Sequence, residues 1–311
     1  MTPLVSAVIP TRNRPESVCR AVESALAQTY TNLEVIVVID GPDPKTVEAL
    51  EALQDLRLRI VALAENVGGS EARNIGVREA KGEWIAFLDD DDEWLPQKIE
   101  KQLEVAIHLQ RNYVFIASQY IELSPLGKRV LPARKYDPDQ PFSDFLFCRQ
   151  GLFGGTGYVQ TSTWLVSKGL ALASPFTPGL KRNQDVDWML HAMSKKGAHF
   201  ELITEPLIIF NSTGQAGRVS KNADWEFQYD WAIRNKEYFT QKALAYFLST
   251  VCIDDAVRQG AIASAFPRLF CRVLVHGHSV KCLFFLFYYM MVPDKIRQRL
   301  RLRIARLKHL V

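Results

Sequence analysis

Four consecutive aspartates, Asp89, Asp90, Asp91 and Asp92, follow the apolar run 84–88, which has the length and composition of a buried strand. The carboxylates therefore sit where a strand leaves the core. Adjacent like charges repel and an unpaired buried carboxylate is costly, so the run should be either solvated or compensated by a cation. Hard oxygen ligands of this kind suit Mg²⁺ or Mn²⁺. Read alone, the same residues also suit an acidic turn that caps the helix after it.

The elements around the run decide between these readings. Residues 4–9 read as a first strand ending at Pro10-Thr11-Arg12, and Asn13, three residues before Glu16 and with Pro15 in the first turn, predicts a capped helix over 14–28. Strands are predicted at 33–39, 58–63, 84–88 and 113–118. Helices fall at 44–53, from Ser70 to about residue 80, and at 96–109. Strands alternating with helices at this spacing imply βαβ units, hence an α/β fold with a mostly parallel central sheet flanked by helices. Ligands of such sheets bind beyond the carboxyl ends of the strands. Pro10, Thr11, Arg12, Asp40, the segment from Asn66 to Asn74 and the aspartate run all lie there, so they should converge on one edge.

From residue 121 the pattern changes to short strands and turns. Residues 161–166 have strand composition, 185–196 form a helix, and two short strands are expected at 200–203 and 207–210. After residue 224 the chain reads as helical. The pattern divides the chain into 1–118, 119–222 and a helical extension over 223–311.

The 311 residues are 48% hydrophobic and 23% charged, an ordinary globular balance, and a formal charge of +4 gives no reason to expect a nucleic-acid partner. The basic residues crowd the end of the chain, where Lys295, Arg297, Arg299, Arg301, Arg303, Arg306 and Lys308 surround Ile296, Leu300, Ile304 and Leu307 as in a basic amphipathic helix. The apolar run 284–292 is shorter than the ~20 residues a spanning helix needs. Docking on a membrane surface is expected, with packing on the protein's own core or a homodimer partner as the other readings. Five scattered cysteines without paired spacing, and no signal-peptide pattern, suit a cytoplasmic protein peripheral at the inner face of the membrane.

The order of four motifs carries a resemblance. Val8-Ile9-Pro10-Thr11-Arg12-Asn13, then Val37-Val38-Ile39-Asp40-Gly41, then Asn66 through Gly68, Gly69, Ser70, Ala72, Arg73 and Asn74 to Gly76, then Phe87-Leu88 with the four aspartates and Trp94, resemble inverting glycosyltransferase family two with its GT-A fold, over about residues 4–220. Members of the bacterial cell-surface polysaccharide type move a sugar from a nucleotide donor, here expected to be a UDP-sugar, to a hydroxyl of a glycan or lipid-linked glycan, which makes 1–118 the expected nucleotide-sugar-binding half and 119–222 the expected acceptor half.

That chemistry expels a diphosphate, whose charge a divalent ion can stabilise. The resemblance implies Mn²⁺ or Mg²⁺ held through Asp91 and Asp89, with Asp89 or Asp90 reaching the ribose or a metal-bound water and Asp92 as a turn residue. It makes Asp40 the acceptor for the uracil ring, although Ile39 stands where the family more usually has a first aspartate. Pro10, Thr11, Arg12 and Asn66 would border the nucleotide, with Arg73 and Asn74 facing it from their helix. Arg218, with Ser220, would lie in a loop over the diphosphate. An inverting displacement also needs a general base. The family's Glu-Asp pair is matched by Gln184-Asp185, so Asp185 is the expected base and Asp187 the expected helix cap. The competing readings are a non-catalytic nucleotide-sugar or membrane-binding module, and an aspartate-nucleophile phosphatase, whose acidic motif would instead follow the first strand.

Overall fold

The structure, a computed structural model, describes residues 2–124, 127–150, 155–211, 223–277, 280–293, 296, 297, 299 and 300. Contacts divide the chain into two compact units, Met1–Leu131 with Val159–Gln215 and Pro132–Tyr158 with Ala216–Val311. The stretch 119–222 is thus shared between them, because residues 132–158 pack with the C-terminal helices.

The first unit is built on a nine-stranded sheet. Strands β1 (Val5–Thr11), β2 (Leu33–Ile39), β3 (Leu58–Ala62) and β4 (Trp84–Phe87) are parallel in the order β3-β2-β1-β4, with Val8 beside both Ile36 and Phe87. Helices cover both faces of this part, so the sequences of β1 and β2 are near-continuous apolar runs. Helix α1 (Pro15–Leu26) buries Val18, Ala21, Val22 and Ala25, one helical stripe. Its start differs from the expected Asn13 cap. Asn13 adopts φ 53°, tolerated by Asn, and donates its backbone N–H to Asp43 instead. Asp43 caps α2 (Pro44–Glu51).

Helix α3 (Gly69–Glu79) begins one residue before the expected Ser70, because Gly68, at φ 84°, turns the chain into it. A Cβ on Gly76 would lie 2.3 Å from Val8, so this glycine lets α3 lie directly on β1.

Beyond β4 the sheet becomes mixed. After β5 (Asp92–Trp94), α4 (Lys98–His108), β6 (Val114–Ser124) and β7 (Gly127–Leu131), the unit resumes at β8 (Leu165–Ser167), α6 (Lys168–Ala173), α7 (Gln184–Met193) and β9 (His199–Asn211), α5 belonging to the second unit. β8 pairs antiparallel with β4 and β6, β9 parallel with β6, and β5 antiparallel with β9. The two short strands expected at 200–210 are one continuous strand, with register shifts against β6 near Pro206, which has no N–H for the ladder. β5 and α6 were not expected. Phe87, Phe115, Trp164, Phe176, Trp188 and Phe200 pack ring against ring beneath this region, Trp164 and Trp188 stacked at 4.9 Å.

The second unit contains α5 (Phe142–Phe147), α8 (Trp225–Arg234), α9 (Gln241–Phe247), α10 (Ile253–Gln259), α11 (Ile262–Gly277) and α12 (Val280–Met291). Phe147, Trp231, Phe239 and Phe247 form its aromatic centre. Arg134 is buried and donates to the carbonyls of Asp144, Phe145 and Cys148, and Thr240 caps α9 while donating to Asp144. The amphipathic helix expected over 294–311 falls almost entirely outside the described residues, and no helix among the described residues is long and apolar enough to cross a membrane.

Candidate active site

The site is assembled at the carboxyl ends of β1, β2 and β4. The aspartate run turns sharply between β4 and β5, the backbone N–H of Asp92 donating to the Asp89 carbonyl at 3.1 Å. The turn sorts the four carboxylates into two pairs.

Asp90 and Asp92 are buried. Asp90 accepts from the Thr11 hydroxyl and from Arg14, each at 2.8 Å. Burial pushes its carboxyl up from the ordinary range, and Arg14 and Thr11 partly offset this. Asp92 is 1% exposed and accepts from Ser162 Oγ at 2.6 Å and from Gln160 Nε2. Its second oxygen, Oδ1, is buried without a hydrogen-bond partner. Burial, reinforced by the charges of Asp89 and Asp91, pushes this carboxyl well above the ordinary carboxylate range. Asp92 is therefore not the simple turn residue expected from sequence but the first residue of β5 and the anchor of the segment 160–163. Ser162 completes the link by accepting from the backbone N–H of Asp89 at 3.0 Å.

Asp89 and Asp91 keep about a quarter of their side chains exposed, 25% and 27%. Arg73 donates to Asp89 at 2.5 Å and Arg14 lies 3.5 Å from Asp91. The cation compensation that an acidic run demands is thus supplied by two arginines. Arg14 had not been singled out in the sequence, although it directly precedes Pro15 at a helix start.

Arg73 does more than neutralise. It also donates to Gln184 Oε1 at 3.2 Å, and its guanidinium lies 5.5 Å from the Phe176 ring centre. One side chain thereby ties the acidic turn to the first turn of α7, where Asp185 follows Gln184. Because Gln184 is neutral, it holds Arg73 without competing for its charge. Asp185 is half-buried and accepts from the Val186 N–H. Asp187 is not the cap of α7. That place is taken by Asn183 at φ 61°, and Asp187 instead accepts from the Thr177 hydroxyl at 2.6 Å.

Asp40 is buried at the end of β2, and its carboxylate accepts from the backbone N–H groups of Val67 and Gly68 at 2.7 and 3.1 Å. It fixes the loop that carries the exposed Asn66, and its own N–H donates to the Thr11 carbonyl at 2.9 Å. Pro10 and Arg12 flank Thr11, Arg12 exposed. Asn74, expected to face the nucleotide, spends its side-chain amide on the protein's own backbone. It is buried, and its amide both donates to and accepts from the backbone of Phe176, at 2.9 and 2.8 Å. Arg218 and Ser220 lie outside the described residues.

Among the described residues no three His, Cys, Asp or Glu side chains converge as a complete metal site. The donor set nevertheless suits a hard divalent ion. Mg²⁺ is usually held by one or two carboxylates, with substrate phosphates and water completing its shell, and Asp89 and Asp91 are the two carboxylates left partly open.

The family model described as Glycosyl transferase family 2 matches residues 6–169. The amylovoran biosynthesis glycosyltransferase AmsB of Erwinia amylovora is 26% identical over 245 residues, 76% of this chain and 79% of its own length. The putative colanic acid biosynthesis glycosyl transferase WcaA of Escherichia coli is 27% identical, covering 80% of this chain and 87% of its own. A shorter match, 34% identical over 38% of this chain and 47% of its own, is the E. coli UDP-Glc:alpha-D-GlcNAc-diphosphoundecaprenol beta-1,3-glucosyltransferase WfaP. Among solved structures, S. aureus TarS 1–349 in complex with UDP-GlcNAc superposes with a TM-score of 0.58 at 17% identity, over 92% of this chain and 90% of that one. At that identity the likeness carries the fold alone, which is GT-A.

Proposed function

The chain belongs to glycosyl transferase family 2, and from that premise we propose that it transfers a sugar, with inversion, from a UDP-sugar to a hydroxyl of a glycan or lipid-linked glycan in bacterial polysaccharide biosynthesis. The observation that carries this reading is the sorting of the acidic turn. Two carboxylates are tied down internally, two are left partly open beside arginines, and Arg73 joins that turn to the helix start that bears Asp185. The uridine diphosphate donor is supported by the names of WfaP and the TarS complex, and the lipid-linked acceptor by that of WfaP.

In this reading Asp40 and the Val67–Gly68 backbone form the base end of the donor site, with Pro10, Thr11, Arg12 and Asn66 along the nucleotide. Asp91 and Asp89 would hold Mn²⁺ or Mg²⁺, which when bound neutralises charge building on the departing diphosphate. Arg73 orients Asp89. Asp185, at the positive end of α7, takes the proton of the acceptor hydroxyl as its oxygen forms the bond to the anomeric carbon. The bond from that carbon to the diphosphate oxygen breaks on the opposite face, and its electron pair leaves with UDP. An enzyme that meets cytoplasmic donors and lipid-linked acceptors belongs at the inner face of the cytoplasmic membrane, as a peripheral protein.

UDP release across a panel of UDP-sugars, with Mn²⁺ and then with EDTA, tests the reading. We expect turnover with at least one donor, abolished by EDTA and by Asp91→Ala. Calorimetric UDP binding without turnover on any donor would instead make the chain a nucleotide-sugar-binding module.

A further inference from the structure

We propose that the second unit docks on an anionic lipid bilayer through one apolar ridge formed by α11 and α12. The inference rests on the peripheral placement proposed above and gives it a surface.

Helix α12 is apolar on all sides, its single charge being Lys281. Cys282, Phe285, Leu286 and Tyr289 form its buried face. Val280, Phe284, Phe287 and Met291, spaced four, three and four residues apart, form a second stripe that is 83, 42, 46 and 77% exposed. A helix apolar all round is expected to be covered all round, in a protein interior or by lipid. Here half of it is left uncovered.

The stripe continues onto α11. The ring of Phe287 lies 5.8 Å from that of Phe266 and 6.4 Å from that of Phe270, and Leu274, one turn beyond Phe270, is 47% exposed. Scattered exposed apolar residues are normal, but a contiguous two-helix ridge of aromatic and aliphatic side chains is not.

Charge selects the occupant. Residues 256–311 contain eleven Lys and Arg and a single acidic residue, Asp294, so the rest of a chain with net charge +4 is net negative. α11 and α12 carry no Asp or Glu, and Arg268 and Arg272 are exposed on α11. A phosphate-bearing leaflet attracts such a segment, while its acyl boundary takes the phenylalanines and aliphatics, for which a nucleic-acid backbone offers no counterpart. At 12 residues, or about 18 Å by helical rise, α12 lies in the interface and does not cross it.

The ridge is also held firmly. Tyr289, on the opposite face of α12, receives a hydrogen bond from Arg149 at 2.5 Å and lies 4.2 Å from the guanidinium of Arg297, which pairs with Asp254. Docking therefore requires no refolding. A tethered transferase would meet a lipid-linked acceptor at the high local concentration of a surface.

Sedimentation of the full chain with phosphatidylglycerol-rich vesicles, without nucleotide-sugar, tests this independently of turnover. We expect most of the protein to pellet with these vesicles and binding to phosphatidylcholine vesicles to be at least roughly tenfold weaker. The double variant Val280→Asp with Met291→Asp changes the two most exposed positions of the α12 stripe. It should keep the wild-type melting temperature and circular dichroism and bind phosphatidylglycerol vesicles at least roughly tenfold more weakly. Phe284→Ser serves as a second variant should that one misfold, with a smaller loss in the same direction. Equal binding of wild type and a folded variant overturns the proposal, as does a wild type that stays in the supernatant. Light scattering on the same samples identifies the alternative: a dimer dissociated by the variant, with no vesicle binding, means that a second copy covers the ridge.

Discussion

The acidic turn after β4 and the outer stripe of α12 break the usual partition of residues in opposite directions. In the first unit, polar groups go inside: Asp90, Asp92, Gln160, Ser162 and Asn74 are all buried. In the second, Val280, Phe284, Phe287 and Met291 remain outside. Buried polar groups are tolerated where each finds partners, and they then fix one arrangement of neighbours. Exposed apolar groups fix nothing within the chain. The first departure reads as a preorganised reaction centre, the second as a surface completed from outside.

The largest expected effects bear on the open half of the turn. Asp91→Ala and Asp185→Asn should each lower the rate of UDP release by about a thousandfold. Metal titration and calorimetry separate them: Asp91→Ala should lose the metal response, while Asp185→Asn keeps UDP affinity. If Asp90→Ala or Asp92→Asn instead removed the metal response, the sorting of the four carboxylates would be wrong.

Next comes the buried half. Asp92→Leu leaves the Ser162 hydroxyl and the Gln160 amide without their acceptor and should destabilise the protein by about 2–3 kcal/mol in denaturant unfolding. Asp92→Asn, which can still accept, should cost less than half of that. Equal losses would mean that the site depends on charge and not on hydrogen bonding. Asn74→Ala should cost about 1–2 kcal/mol through the lost clamp on Phe176, with UDP affinity unchanged. A loss of UDP affinity at unchanged stability would place Asn74 at the nucleotide instead.

The smallest effect concerns Lys98, whose ammonium is fully buried, donates to Gln102 at 2.7 Å and lies 4.3 Å from the Trp94 ring. Burial lowers its pKa well below 10.5. The unfolded chain then binds a proton that the folded chain does not. This lysine's penalty is therefore fully present at and below the folded pKa and relieved as pH rises toward the unfolded one. Lys98→Met should change stability at neutral pH by about 1 kcal/mol or less, because desolvation and lost hydrogen bonding offset, and should flatten the alkaline rise in stability seen by thermal melts across pH.

How much of this was legible depended on whether a residue's role is local. β2 could be read to both ends because an apolar run between turn residues needs no distant information. β5 could not, since Asp-Glu-Trp has no strand pattern and becomes a strand only by pairing with β9. The need for a cation near the aspartates was readable from charge alone, and Arg73 was named as a neighbour, but Arg14 was not. Ser162 read as part of an ordinary strand and Gln160 was not singled out, for their partners lie about seventy residues earlier. Asn74 was placed on the correct helix, but its hold on the Phe176 backbone was not readable, since that partner lies 102 residues later. Nor does the motif's spacing say how α3 sits on β1, which the close packing at Gly76 sets.

The bridge between β4 and β5 has no slack. One end is fixed by β1, the other by β9, and the Asp89 carbonyl closes the turn on Asp92. Four identical side chains are thus not four interchangeable copies. A deletion or insertion of one aspartate would alter the charge by a single unit, yet it would shift the phase of the whole tract, so that carboxylates now turned inward would face the opening and the reverse. Single substitutions whose effects differ from one aspartate to the next, and changes of length that disable the tract as a whole, are the signature it should leave in any mutational library of this protein.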